Sequence, residues 1–251
     1  MKPPHPVLKE IPDVLRQLRC LLEGYSMAGM ARYPAKPPYP AKPWSADSAQ
    51  GGQPEPVRAI PRCRGKDLRA IEEELAGCTR CRLHEQRKNL VFGEGAQCPS
   101  LVFVGEGPGF EEDVQGRPFV GKAGRLLDKM IQSIGLERNG VYICNVVKCR
   151  PPKNRTPQQE EMETCFPYLA RQLAALSPKV ICALGACAAQ TLLGTGSAVS
   201  RLRGKVHSWR GTPLICTFHP AYLLRNPAQK SASWQDLLHI RTLLEKDTEN
   251  H

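Results

Sequence analysis

Apolar residues recur in two rhythms along this chain. Short continuous runs at Leu101–Val104, Val141–Val147, Val180–Leu184 and Leu214–Phe218 read as strands buried on both faces, since a half-exposed strand alternates polar and apolar positions. Between them the apolar spacing turns helical. Ala123–Ile134 places Leu126, Leu127, Met130, Ile131 and Ile134 on one face, and Asp67 caps a helix carrying Leu68, Ile71 and Leu75. Thr156 as cap and Pro157 at the first helical position open a helix running to Leu176, and Ala186–Leu193 and Trp234–Leu244 complete the series. Continuous apolar strands alternating with helices predict an α/β fold of three layers, α/β/α, around a central, mainly parallel four-stranded sheet.

The run Leu101–Val104 stops in Gly105-Glu106-Gly107-Pro108-Gly109, a turn glycine-rich enough to imply close approach of a backbone. Gly116-Arg117-Pro118-Phe119-Val120-Gly121-Lys122-Ala123-Gly124 follows shortly after. The four strand ends carry Glu106, Asn145, Gly185 and His219. In an open α/β sheet the loops at these ends splay into the crevice where ligands bind. A single histidine there is more often structural, but three polar residues converging beside the lone aromatic Phe119 mark a site. Two phosphate motifs fail on inspection. Gly105-x-Gly107-x-Gly109 misplaces the third glycine of a dinucleotide fingerprint, and Ala123 denies Gly116-x4-Gly121-Lys122 the metal-binding hydroxyl of a P-loop.

Charge adds a partner. The 251 residues carry a formal net charge of +11, and no Asp or Glu occurs from Thr164 to Gln235, where Arg171, Lys179, Arg201, Arg203, Lys205, Arg210, Arg225 and Lys230 fall. So long an acid-free stretch points to a polyanion, with Arg201, Arg203 and Lys205 contacting its backbone. No run approaches the roughly 20 apolar residues of a membrane span. The amino-terminus lacks a signal-type apolar region, so a cytoplasmic protein without a disulfide framework is expected. Residues 1–66 hold twelve of the 23 prolines and a net charge of +6. This composition predicts a disordered basic extension, with one short helix over Ile11–Leu22 that could dock a partner, preceding a catalytic domain at 67–247.

Eleven cysteines then need a reason. Cys144, Cys182, Cys187 and Cys216 lie in apolar segments and read as core residues. Cys78-Thr-Arg-Cys81 is a C-x2-C, and Cys149 and Cys165 form a wider pair. The four suit a closed thiolate site, and spacing leaves zinc and an iron–sulfur cluster both open.

Taken in order, Gly105-Glu106-Gly107-Pro108-Gly109, Glu112-Asp113, Gly116-Arg117-Pro118-Phe119-Val120-Gly121, Asn145-Val146-Val147-Lys148-Cys149-Arg150-Pro151-Pro152, Cys165 and His219-Pro220-Ala221-Tyr222-Leu223-Leu224-Arg225 resemble the family 4 uracil-DNA glycosylases over about residues 67–246. The resemblance implies a [4Fe–4S] cluster on Cys78, Cys81, Cys149 and Cys165. It also implies a monomer acting on uracil in single- or double-stranded DNA; the amino-terminal arm lies outside the resemblance and is expected to bind another repair or replication protein. A related branch carries a basic insertion after the second motif and bonds to its product; here Asn154-Arg155-Thr156-Pro157 follows directly, implying ordinary turnover.

The residues suit that chemistry. Cleavage of an N-glycosidic bond develops positive charge on the sugar and negative charge on the base, and the base must first leave the stack. Asn145 pairs with O4 and N3–H of uracil, Phe119 stacks, and His219 faces O2. Gly107-Pro108-Gly109 approaches the substrate; Gly107 stands where other glycosylase families use an aspartate. Glu106 and Glu112 compete for the role of carboxylate near the sugar. Leu223 and Leu224 form a wedge, with Arg225 on phosphate. Two rival readings are a non-catalytic DNA-binding module with a structural zinc site on the four cysteines, and a nucleoside hydrolase. The first leaves Glu106, Asn145 and His219 unused; the second leaves the acid-free stretch unexplained.

Overall fold

The computed structural model describes residues 65–246. The expectations for the basic extension, including its Ile11–Leu22 helix, fall outside the described residues. Six strands form one sheet: β1 (Glu94–Gly95), β2 (Leu101–Gly105), β3 (Tyr142–Asn145), β4 (Val180–Leu184), β5 (Val206–Trp209) and β6 (Thr212–Thr217). Their spatial order is β1-β3-β2-β4-β6-β5. The inner four are mutually parallel and correspond to the apolar runs; β1 and β5 pair antiparallel at the two edges.

The expected four-stranded sheet is thus corrected to six strands, and the reason lies in what an edge strand needs. Only one of its sides is paired, so it need not be an apolar run. β5 is mostly exposed or half-buried along Val206-His207-Ser208. β1 has two residues, and Gly95 sits so close to the Val141 carbonyl, at φ +131°, that no side chain fits there.

Helices cover both faces. They are α1 (Gly65–Leu75), α2 (Phe110–Gln115), α3 (Lys122–Ser133), α4 (Gln159–Leu176), α5 (Gly185–Leu193), α6 (Val199–Leu202), α7 (Pro220–Arg225) and α8 (Lys230–Lys246). Strand alternation assigns the layers. Leu101, Phe103, Ile143, Val180, Cys182, Leu184 and Ile215 point to one face, where α3, α7 and α8 supply Leu127, Ile131, Leu223, Leu237 and Ile240. Val102, Val104, Cys144, Ile181, Ala183, Leu214 and Cys216 point to the other, against α1, α4, α5 and α6. Cys144, Cys182, Cys187 and Cys216 are all buried in these cores. The chain is α/β/α as patterned, because each strand feeds two layers at once.

One cap differs. α4 begins at Gln159, not at Pro157, because Glu161 accepts a hydrogen bond from the Gln158 N–H (2.7 Å) and so closes the first turn there. Arg155 then clamps the same carboxylate at 2.8 and 2.6 Å.

Candidate active site and cysteine centre

The site begins where two paired strands end side by side. Gly105 of β2 is the register partner of Asn145 of β3. A Cβ at Gly105 would collide with Asn145 Oδ1 and would lie 2.5 Å from Phe119 Cζ. The amide and the ring therefore border the same small space, left open by the missing side chain. Asn145 is 1% exposed, and its Oδ1 has no hydrogen-bond partner. A buried acceptor without a donor is costly, which marks a position built for a ligand N–H.

Phe119 is held there against its own backbone preference. Its φ is +51°, a left-handed conformation uncommon for a bulky residue. Two features enforce it. The Phe119 carbonyl packs so tightly on Gly124 of α3 that only glycine fits. Glu112 of α2 accepts from Val120 N–H and Gly121 N–H, each at 2.9 Å, with one oxygen, and from Gly109 N–H at 3.1 Å with the other. Both oxygens are committed to three backbone donors. Glu112 is a brace that joins the glycine-rich turn to the Phe119 loop, which argues against the catalytic alternative considered for it.

Glu106 is the carboxylate left over. It is half-buried at the end of β2. Burial raises its pKa above the usual 4.5, and a hydrogen bond from Thr156 offsets part of that rise. Asp113, next to the brace, is buried and accepts from Lys88 N–H (2.8 Å) and Asn89 N–H (3.3 Å), anchoring the segment before β1.

His219 closes the pocket from the far strand. It caps α7, and its Nδ1 accepts from Ala221 N–H at 3.1 Å. The neutral imidazole therefore carries its proton on Nε2. Burial, reinforced by the charge of Arg225 and opposed by Glu112, lowers its pKa from 6.5 to about 4. Its ring centroid lies 5.5 Å from that of Phe119. Gly185, at φ +89°, permits this: a Cβ there would sit 2.9 Å from His219 Cβ. The ends of β2, β3, β4 and β6 thus lie close together, with the Phe119 ring between Asn145 and His219.

Other expected contacts are redistributed. Leu223 is 1% exposed and belongs to the core under α3, so it is corrected from wedge to core residue. Leu224 is half-buried, while Arg225 and Tyr222 are exposed. Arg203 is also corrected. It binds both oxygens of the fully buried Asp236 at 3.0 Å and donates to the Ala232 carbonyl, an internal ion pair rather than a free cation. Arg201 and Lys205 are exposed. Pro108 is buried, and Gly107 packs against Val147, where a Cβ would meet its Cγ2 at 2.7 Å.

One buried lysine beside the site carried no expectation from the sequence. Lys148 is 1% exposed, and its Nζ donates to the Asn145 carbonyl at 2.8 Å. A lysine ending the run Asn145-Val146-Val147 was the available signal.

Behind Lys148 lies a cavity that Cys78, Cys81, Cys149 and Cys165 line together with Leu75, His84, Arg87, Leu90, Thr164 and Tyr168. The cysteines arrive from the segment that follows α1, the loop after β3 and the middle of α4. Arg87 donates to the Cys78 carbonyl (2.6 Å) and to Cys149 Sγ (3.2 Å). Burial raises the thiol pKa values of Cys81 and Cys149, and takes that of Cys165 to about 11. Thiolates here need a positive centre to form. Among the described residues no three His, Cys, Asp or Glu side chains form a tight metal-holding group. All four cysteines line this one cavity, a thiol-rich donor set.

Comparison with known proteins gives the family. Residues 92–238 match the family model described as the uracil DNA glycosylase superfamily. A type-4 uracil-DNA glycosylase of Thermotoga maritima is 49% identical over 161 residues, 63% of this chain and 84% of its own. Type-4 enzymes of Pyrobaculum aerophilum and Archaeoglobus fulgidus are 44% and 43% identical, over 68% and 72% of this chain and 91% and 95% of theirs. The crevice of Asn145, Phe119 and His219 is thus found in a chain that belongs to the uracil-DNA glycosylase superfamily, within its type-4 family.

Proposed function

We propose that this chain excises uracil from DNA by hydrolysing the N-glycosidic bond, with Asn145, Phe119, His219 and Glu106 as the working residues. The observation that carries the reading is the unpartnered Asn145 Oδ1, buried beside the Phe119 ring. Uracil offers N3–H to such an acceptor. Cytosine has no proton on N3 and would leave both acceptors facing each other, a mismatch that hydrogen-bonding sites discriminate strongly.

An extruded uracil stacks on Phe119 and presents O2 toward His219 Nε2–H. As the glycosidic bond breaks, electrons pass to the base and negative charge grows on O2; the neutral imidazole stabilises it by donating a hydrogen bond. Its low pKa keeps it a donor and not an acid. Glu106 lies on the sugar side, where its carboxylate balances the oxocarbenium charge and orients the water that adds to C1′ and loses a proton. The products are free uracil and an abasic site. Leu224, Arg225, Arg201 and Tyr222 face the DNA, with Tyr222 taking the exposed apolar position that Leu223 does not hold.

Cys78, Cys81, Cys149 and Cys165 would hold a [4Fe–4S] cluster. When bound, the cluster supplies a covalent tie between α1, the loop after β3 and α4. Lys148 carries that tie to the recognition strand through its bond to the Asn145 carbonyl. Reduced thiols of this kind suit a cytoplasmic setting, and a pocket built within one chain suits a monomer. Among the described residues no helix is long and apolar enough to cross a membrane.

The test uses an oligonucleotide with a single uracil, followed by alkaline cleavage of abasic sites. After treatment with the purified chain, alkali should cut the uracil strand and leave its cytosine and thymine counterparts whole. Equal cleavage of uracil and cytosine strands would defeat the recognition scheme.

A further inference from the structure

We infer that Phe110, with Lys88 and Arg150 beside it, is a stacking platform for an unpaired base of the DNA strand next to the excision pocket. Phe110 is the most exposed aromatic among the described residues, at 54%, and Val114, one turn on in α2, is 45% exposed. The two side chains put an aromatic and an aliphatic group side by side on the solvent face of α2. The Arg150 guanidinium lies over the Phe110 ring, 5.0 Å from its centroid, and the Lys88 ammonium lies over it at 5.8 Å, cations that a stacking base would displace toward its phosphates. An aromatic face bordered by cations is the pattern that binds single strands, the ring taking a base and the cations its phosphates.

Position supports the same partner. Gly105 and Asn145 are register partners at the pocket floor. The chain leaves each of them and, five residues later, reaches Phe110 on one loop and Arg150 on the other. The two outgoing loops meet again in the Phe110–Arg150 contact, so the platform stands on the pocket's own edge of the sheet. Arg150 is held in place by a hydrogen bond from its Nε to Asn154 Oδ1 at 2.7 Å. Next to that acceptor is exposed Lys153, and both Lys153 and Asn154 adopt φ near +55°. Backbone held in so sparse a region tends to serve a function. The neighbouring acid, Glu111, lies toward Gly121, with its Oε2 3.2 Å from where a Cβ would stand.

This inference rests on the glycosylase reading, and the experiment separates the two. Fluorescence anisotropy measures binding of a labelled single strand without uracil to the full cluster-loaded chain and to Phe110→Ala, Phe110→Trp and Lys88→Ala. Melting temperature is recorded for each variant. Phe110→Ala should bind about tenfold more weakly at an unchanged melting temperature and unchanged salt slope, with Phe110→Trp restoring affinity. Lys88→Ala should lower the salt slope by about 0.7. Affinity within twofold of the parent in Phe110→Ala, or equal loss in Phe110→Trp, overturns the platform. If the parent chain excises uracil in that case, the glycosylase reading stands; if the parent excises none, that reading fails whatever the binding shows.

Discussion

Two glutamates on neighbouring turns have opposite fates, and hydrogen bonds decide which is which. Glu112 spends both oxygens on Gly109, Val120 and Gly121 N–H groups, whereas Glu106 keeps an elevated pKa from burial, eased by one hydroxyl. Glu112→Gln turns one acceptor into a donor facing N–H groups. It should cost about 1–3 kcal/mol of stability, read as a fall in melting temperature. Glu106→Gln should slow excision while melting like the parent. The reverse pattern would exchange their roles.

His219 sets a pH signature of its own. Folded, it titrates near 4 rather than at 6.5. Between those values the unfolded chain binds a proton that the folded chain refuses. The contribution of His219 to stability is therefore full above pH 6.5 and is lost as pH falls toward 4. The imidazole stays neutral through that window, so the acid limb of single-turnover excision belongs to Glu106 and should have its midpoint above 4.5. In Glu106→Gln the residual rate should lose this limb and fall only near pH 4. An acid limb unmoved in Glu106→Gln would reassign it.

At the level of elements, the cysteine ring joins three segments, two of which, α1 and α4, also meet where Glu74 accepts from Tyr168 (2.9 Å) and Arg171 (2.6 Å). The segment that follows α1 supplies Cys78 and Cys81, the loop after β3 Cys149 and α4 Cys165. Cys78→Ala should lower melting temperature and solubility and remove the visible absorbance of the cluster, while the preference for uracil over other bases persists. Equal yield and melting in a protein without iron would count against a structural centre. The same elements explain what could be read in advance. Strands buried on both faces leave apolar runs, so β2, β3, β4 and β6 were legible. β1 and β5 were not, because a one-sided edge strand of two to four residues has no periodicity to find. Leu223 and Leu224 show the other limit: adjacent leucines after a helix cap are alike in sequence, and only the direction of α7 sends Leu223 inward.

For the whole molecule, net charge named the class of partner but not its contacts. Arg203 was counted with the free cations of the acid-free stretch, yet Asp236, just beyond its end, folds back from α8 to take it. Pairing across 33 residues cannot be read from local composition. The crevice, by contrast, was legible, because parallel topology obliges strand ends to gather on one edge. Asn145, Phe119 and His219 do gather, and Lys148 behind them was hidden by a burial that lysine rarely accepts.

The most direct measurement is single-turnover excision from a single-uracil strand by Asn145→Ala and His219→Ala, each checked for parental melting and iron content. The account predicts that each rate falls by roughly a hundredfold or more. A parental rate in Asn145→Ala would contradict it.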